Sequence, residues 1–154
     1  LEVGTPAGYS AIQMARALPD DGELISVEYS DAHADFAEDW VARSDVAGRV
    51  TVLRGRGQDV LPTLTDEGRF DAVFLDADKG GYVTYLGHAL RLLRPGGLLM
   101  VDNAFAFGEL FAADPKDPET AAVRAFNDVL AAEPRVHGVI VPLGDGLWVG
   151  VVDG

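Results

Sequence analysis

The sequence has no cysteine among its 154 residues. That excludes disulfides and thiolate metal centres, and it is compatible with the cytosol. Basic residues are scarce: 12 Lys and Arg stand against 25 Asp and Glu, for a net charge of −13. A nucleic-acid backbone calls for a basic surface, so nucleic acid is not an expected partner. The same charge is compatible with hard cations, and equally with simple solubility. No apolar run approaches the roughly 20 residues of a membrane span, so no membrane partner is expected either. His33, His88 and His137 are scattered without ligand spacing, which argues against zinc. There is no initiator Met, and Leu1 falls inside an expected strand. Upstream residues are therefore expected to be missing.

What is present is a chain with 48% hydrophobic residues, enough for one globular domain over 1–154. Apolar runs bounded by turn residues predict strands at 1–3, 24–28, 50–53, 72–75, 98–101, 138–141 and 147–152. Helices are predicted at 9–18, 31–44, 58–64, 82–93 and 118–132. The helix over 31–44 carries an apolar stripe of Phe36, Trp40 and Val41. The helix over 82–93 is expected to stop at the breaker Arg94-Pro95-Gly96-Gly97. Several strands are continuous apolar runs, the mark of parallel strands covered on both faces. The last two are joined by Pro142-Leu143-Gly144-Asp145-Gly146, which predicts an antiparallel hairpin. The expected class is α/β: a Rossmann-like, mostly parallel seven-stranded sheet with a C-terminal antiparallel hairpin and helices on both faces.

Leu1 to Ser10 reads as a strand end, a glycine turn and a helix start. Gly4 and Gly8 allow close backbone approach, and a helix N-terminus presents N–H groups and partial positive charge. The dinucleotide fingerprint would place a glycine where Pro6 stands, so a pyrophosphate ligand is disfavoured and a nucleoside without phosphate fits better. Glu28 ends the second strand, where a carboxylate can accept hydrogen bonds from both ribose hydroxyls. Tyr29 follows and suits either a purine face or ordinary core. Two further motifs fall at carboxyl ends of strands, where open parallel sheets bind ligands. These are Asp76-Ala77-Asp78-Lys79 and Asp102-Asn103. Asp76, Asp102 and Asn103 supply hard oxygens that suit Mg²⁺. Each could equally be a helix N-cap. Lys79 reads as a solvated charge or as a general base.

In order along the chain come Leu1–Ser10, Glu28, Gly57-Gln58-Asp59-Val60-Leu61-Pro62, Phe74–Lys79, Arg94–Gly97, Val101-Asp102-Asn103 and Gly144-Asp145-Gly146-Leu147. This series resembles the cation-dependent O-methyltransferase family of catechol and caffeoyl-CoA methyltransferases, over nearly the whole chain. The resemblance implies that Glu2, Gly4, Thr5, Tyr9 and Ser10 line the methionine portion of S-adenosylmethionine (SAM). It implies Glu28 at the ribose, Tyr29 and Gln58 around the adenine, and Asp76 and Asp78 at the cofactor. It implies Asp76, Asp102 and Asn103 as ligands of Mg²⁺ or another divalent cation, with Lys79 and Asp76 catalytic. The implied acceptor is a phenolic or diol small molecule, and the implied assembly is a homodimer. Family members carry N-terminal helices before the first strand, which this sequence does not contain. Phe105 and Phe107 suit either an aromatic acceptor pocket or packing against such helices. The stretch 112–120 reads as a flexible loop.

Two other functions fit the same strands and helices. An NAD-dependent oxidoreductase is disfavoured by Pro6 and by the lack of a Tyr-x-x-x-Lys pair at Tyr82 or Tyr85. A non-catalytic SAM-binding domain is disfavoured by the complete set of metal-ligand candidates.

Overall fold

The computed structural model describes residues 1–153, which form two compact units, the first spanning Leu1–Thr63. In that unit β1 (Glu2–Val3), β2 (Leu24–Glu28) and β3 (Val50–Arg54) alternate with α1 (Tyr9–Ala17), α2 (Asp31–Ala42) and the short α3 (Gly57–Val60). The strands are parallel and ordered β3-β2-β1, with Glu2 opposite Ser26 and Glu28 opposite Arg54. Ala11 and Ala15 of α1 pack with Leu24 and Val46, joined by Ile12, Met14, Leu18 and Val50.

Of the apolar stripe expected on α2, only Val41 is buried. The buried residues of the helix are Ala34, Ala37 and Val41, whereas Phe36 and Trp40 are about half exposed, 51% and 47%. The reason is a close approach. A Cβ placed on Gly8 would lie 3.2 Å from the Cα of Ala37, so only a small side chain fits that face. Phe36 and Trp40 pair edge-on outside, and the Arg43 guanidinium lies 4.4 Å from the Trp40 ring centre.

The second unit runs from Leu64. It holds β4 (Phe70–Leu75), α4 (Tyr82–Leu92), β5 (Leu93–Val101), α5 (Thr120–Ala132), β6 (Val136–Val141) and β7 (Leu147–Val152). Its strands are ordered β4-β5-β7-β6. β4 and β5 are parallel; β7 is antiparallel to both β5 and β6. The expected hairpin is thus present, and with it the parallel-then-antiparallel α/β pattern.

Arg94-Pro95-Gly96-Gly97 differs from expectation. It does not separate helix from strand but lies inside β5, which begins directly after α4. Between the pairs Phe70–Leu93 and Ala72–Leu98 the register shifts. Gly96 takes a φ of 72°, and a Cβ on Gly97 would lie 2.8 Å from the carbonyl oxygen of Arg94. The Pro-Gly-Gly run therefore forms a bulge that only glycine geometry allows. Other element boundaries differ from expectation by a few residues at most; the stretch expected as a helix over 58–64 is α3 followed by a 3-10 turn, Leu61–Thr63.

Candidate active site residues

The first unit gathers most of the residues expected at the cofactor. The turn between β1 and α1 has positive φ at both of its glycines, 100° at Gly4 and 73° at Gly8. Gly8 is the N-cap of α1, and no side chain caps that end. The first-turn N–H groups there are available to a ligand. Glu2 is fully buried, and its carboxylate accepts hydrogen bonds from the hydroxyls of Thr5 (2.7 Å), Ser26 and Ser10. A buried carboxylate with three hydroxyl donors is a rigid anchor, and here it fixes the turn. Glu28 is only 3% exposed. It accepts from the Thr5 amide at 3.2 Å and the Ser30 amide at 2.9 Å. Each oxygen keeps a second lone pair for a ligand hydroxyl. Tyr9 and Tyr29 are exposed, at 74% and 68%, and Arg56 lies 5.9 Å from the Tyr29 ring centre. Tyr29 is therefore not core. Gln58 is exposed at the start of α3.

The second unit brings the acidic motifs together. β4 and β5 are in register to their ends, Leu75 opposite Val101, and the Asp102 amide donates to the Leu75 carbonyl at 3.0 Å. Asp76 and Asp102 are the next residues on neighbouring strands, which lie about 4.8 Å apart. Asn103 follows with a φ of 64°, and its amide donates to Asp102 Oδ1 at 2.8 Å. All three side chains are half-buried. Two carboxylates and an amide oxygen form a hard donor set of the kind Mg²⁺ takes, with room for water or substrate oxygens. Among the described residues no cluster of three His, Cys, Asp or Glu side chains offers a metal site. The third donor of this set is an amide.

Lys79 is not a solvated charge. It is 6% exposed, and its Nζ donates to Asp76 Oδ1 at 3.2 Å and to the Tyr82 hydroxyl at 2.7 Å. The Tyr82 ring lies 4.8 Å from the same nitrogen, and the Lys79 amide donates to Glu119 at 3.3 Å. Tyr82 itself is completely buried and packs edge-on against Phe126 of α5. Burial, and then the negative charges of Asp76 and Asp102, push its phenol far above the ordinary range. It stays a neutral hydroxyl that accepts from Lys79 and faces the carbonyl oxygens of Leu75 and Asp102 at 3.3 and 3.4 Å. Asp78 accepts from the Tyr85 hydroxyl at 2.6 Å and stands just before the 3-10 turn Lys79–Gly81 that leads into α4, without capping it through its side chain.

Sequence reasoning missed Tyr82, Ser26 and Asp145. Tyr82 follows Lys79 by three residues at the opening of a helix, a spacing that places both on one face. Ser26 was visible as a lone hydroxyl in a buried apolar strand. The region expected to be flexible, 112–120, is instead tied down at several points. Glu109 accepts from the Lys116 amide at 2.6 Å and the Asp117 amide at 2.8 Å. Arg124 donates to the carbonyls of Glu109, Leu110 and Ala112.

Residues 1–151 match the family model described as O-methyltransferase. The chain belongs to that O-methyltransferase family. It is 41% identical over 145 residues to a catechol O-methyltransferase of Niastella koreensis, covering 93% of this chain and 66% of the relative. A catechol O-methyltransferase of Mycobacterium tuberculosis is 39% identical over 141 residues, covering 92% of this chain and 63% of its own length. The chain therefore spans about two thirds of the length of these curated relatives. Among solved structures, the O-methyltransferase TomG of Streptomyces achromogenes in complex with SAM superposes with a TM-score of 0.89 at 38% identity, over 99% of this chain and 72% of that one. The Bacillus cereus O-methyltransferase in complex with SAH gives 0.90 at 35% identity, with the same coverage. The Rossmann-like class is thus that of the family's solved structures.

Proposed function

We propose that this chain catalyses transfer of a methyl group from SAM to a hydroxyl of a catechol-like or vicinal-diol small molecule, assisted by a divalent cation. The observation that carries this reading is the placement of Asp76 and Asp102 at adjacent strand ends with Lys79 bonded to Asp76, in a chain of this family. Binding of SAM and SAH by structural relatives supports the choice of methyl donor, and the catechol O-methyltransferases among the relatives support the acceptor class.

SAM is consumed as a co-substrate. The uncapped start of α1 and the turn held by Glu2 would receive its methionine portion, and Glu28, held by two backbone amides, would receive the ribose hydroxyls. Asp76, Asp102 and Asn103 would hold the cation, which when bound lowers the pKa of a coordinated hydroxyl. Lys79 would accept that hydroxyl's proton at Nζ, which Asp76 and Tyr82 hold in place. The acceptor oxygen then attacks the sulfonium methyl carbon, the carbon–sulfur bond breaks, and the products are a methyl ether and S-adenosylhomocysteine (SAH). Orientation of the two reactants supplies much of the rate, roughly 7–11 kcal/mol at best.

The test is radiolabelled methyl transfer from SAM to a catechol and phenol panel, with Mg²⁺ and with excess chelator. Transfer to catechols that needs Mg²⁺ and disappears in Asp102→Ala is expected. Undiminished transfer in chelator, or in that variant, removes the cation from the mechanism.

A further inference from the structure

The Gly144-Asp145-Gly146-Leu147 motif has no part in the chemistry above, yet Asp145 is the hub of the loop that follows β5. Its Oδ2 accepts from the Phe107 amide at 2.7 Å and from Asn103 Nδ2 at 3.3 Å, and its Oδ1 accepts from the Gly108 amide at 3.1 Å. The backbone is stitched in parallel. Ala104 N donates to the Gly146 carbonyl and Phe105 N to the Asp145 carbonyl, both at 2.8 Å. Gly146 has a φ of 81°, and a Cβ there would lie 2.8 Å from the Phe105 ring, so the hairpin turn seats directly on that ring.

The loop so held is strained. Asn103, Ala106 and Phe107 all have positive φ, at 64°, 52° and 58°. Such conformations persist in non-glycine residues only where surrounding contacts over-determine them, and they gather at functional sites. The three hydrogen bonds to one carboxylate are contacts of that kind.

We propose that Asp145 is a positioning residue that fixes the amide orientation of Asn103, so that the Asn103 oxygen is presented for cation binding. The chemistry admits one orientation. An ionised carboxylate only accepts, so the group turned toward Asp145 is the Nδ2 donor. The Asn103 Oδ1 is then directed away from Asp145, and the amide cannot flip without setting oxygen against oxygen. Partners that orient a ligand in this way typically change metal affinity by roughly 10–100-fold when removed. The assignment rests on the cation-assisted reading above.

Mn²⁺ binding, followed by electron paramagnetic resonance on the full chain, tests it with Asp145→Ala and Asp145→Asn. Asp145→Asn keeps one oxygen, which in the place of Oδ2 still serves the Phe107 and Asn103 donors and leaves the Gly108 amide without its acceptor, whereas Asp145→Ala removes the acceptors of all three. SAH binding by calorimetry, together with the thermal melt of each variant, serves as the folding control, because most of the residues expected to hold SAH lie in the first unit, whereas Asp145 lies in the second. The expected result is Mn²⁺ affinity at least tenfold weaker in Asp145→Ala, with Asp145→Asn between it and the wild type, and SAH affinity unchanged in both. In metal-free protein, the Asn103 side-chain amide protons should be protected from exchange in the wild type and unprotected in Asp145→Ala. Wild-type Mn²⁺ affinity in Asp145→Ala overturns the assignment of Asp145 alone, as does an unprotected Asn103 amide in the wild type. A wild-type chain that binds no Mn²⁺ overturns the cation reading and this inference together.

Discussion

A single buried hydroxyl holds the side chain of Lys79. Tyr82 meets Lys79 with both its oxygen and its ring, and it lies against the carbonyls at the ends of β4 and β5. Its own phenol stays neutral for the reasons given: burial first, then two nearby carboxylates. Tyr82→Phe removes an acceptor from the buried Lys79 Nζ and leaves carbonyl oxygens without that donor. A cost of about 1–3 kcal/mol in urea unfolding is expected. In the methyl-transfer assay kcat should fall more than the acceptor KM rises. A destabilised variant with unchanged kcat would make Tyr82 a packing residue only. The Lys79–Tyr82 pair was hidden in the sequence because a Tyr in an apolar helix reads as core, and it is core. Only the hydrogen bond shows its second role.

The segment between β5 and α5 behaves as an element in its own right, although it contains no regular structure. Three polar residues hold it: Asp145 at its start, Glu109 in its middle and Arg124 from α5. Glu109 gains its bonds on folding. Its pKa is lowered from the ordinary 4.5 by the Asp117 amide first, opposed by desolvation, with the Lys116 amide and Thr120 hydroxyl adding to the lowering. A depressed folded pKa means the contribution is fully present above the unfolded value and is lost as pH falls through the folded one. Amide exchange at Lys116 and Asp117, corrected for intrinsic rates, should therefore quicken as pH drops below about 4.5. In Glu109→Gln, whose side-chain oxygen still accepts but does not titrate, it should be nearly independent of pH in that range. Protection that survives acid in the wild type would count against Glu109 as the anchor. Asp and Pro in this stretch suggested a flexible loop, because composition reports the absence of periodicity and says nothing of distant carboxylates and guanidinium groups.

At the scale of the whole molecule the charge of −13 and the family membership set the ligand expectations. A phosphate-rich dinucleotide meets an acidic protein and a turn with Pro6 in place of glycine, whereas SAM carries a cationic sulfonium and no phosphate. A ligand that binds only the folded state stabilises by about 2.7 kcal/mol at a hundredfold its Kd. SAH should accordingly raise the Tm in differential scanning fluorimetry, and NAD at the same concentration should not. A shift with NAD and none with SAH would reverse the assignment of the donor. No helix among the described residues is long and apolar enough to cross a membrane.

The sequence by itself determined the α/β pattern, the parallel strands and the closing hairpin, because apolar periodicity and turn chemistry are local. It also determined which residues to suspect: Glu28, Asp76, Lys79, Asp102 and Asn103 all stand at or just after strand ends, where a parallel sheet exposes its carboxyl edge. Only the tertiary structure decided how those residues are held. Glu2 became a buried anchor because three hydroxyls, one of them 24 positions away at Ser26, converge on it. Arg94–Gly97 became a bulge within β5 because its partner strand fixes the register on either side. Phe36 and Trp40 went outside because Gly8 brings backbone against Ala37. The turn of Gly144 to Leu147 acquired a role beyond reversing the chain because Asp145 meets a loop about forty residues earlier. Hydrogen bonds and steric limits between residues so far apart leave no periodic trace in a chain, which is why the elements were legible in advance and their joints were not.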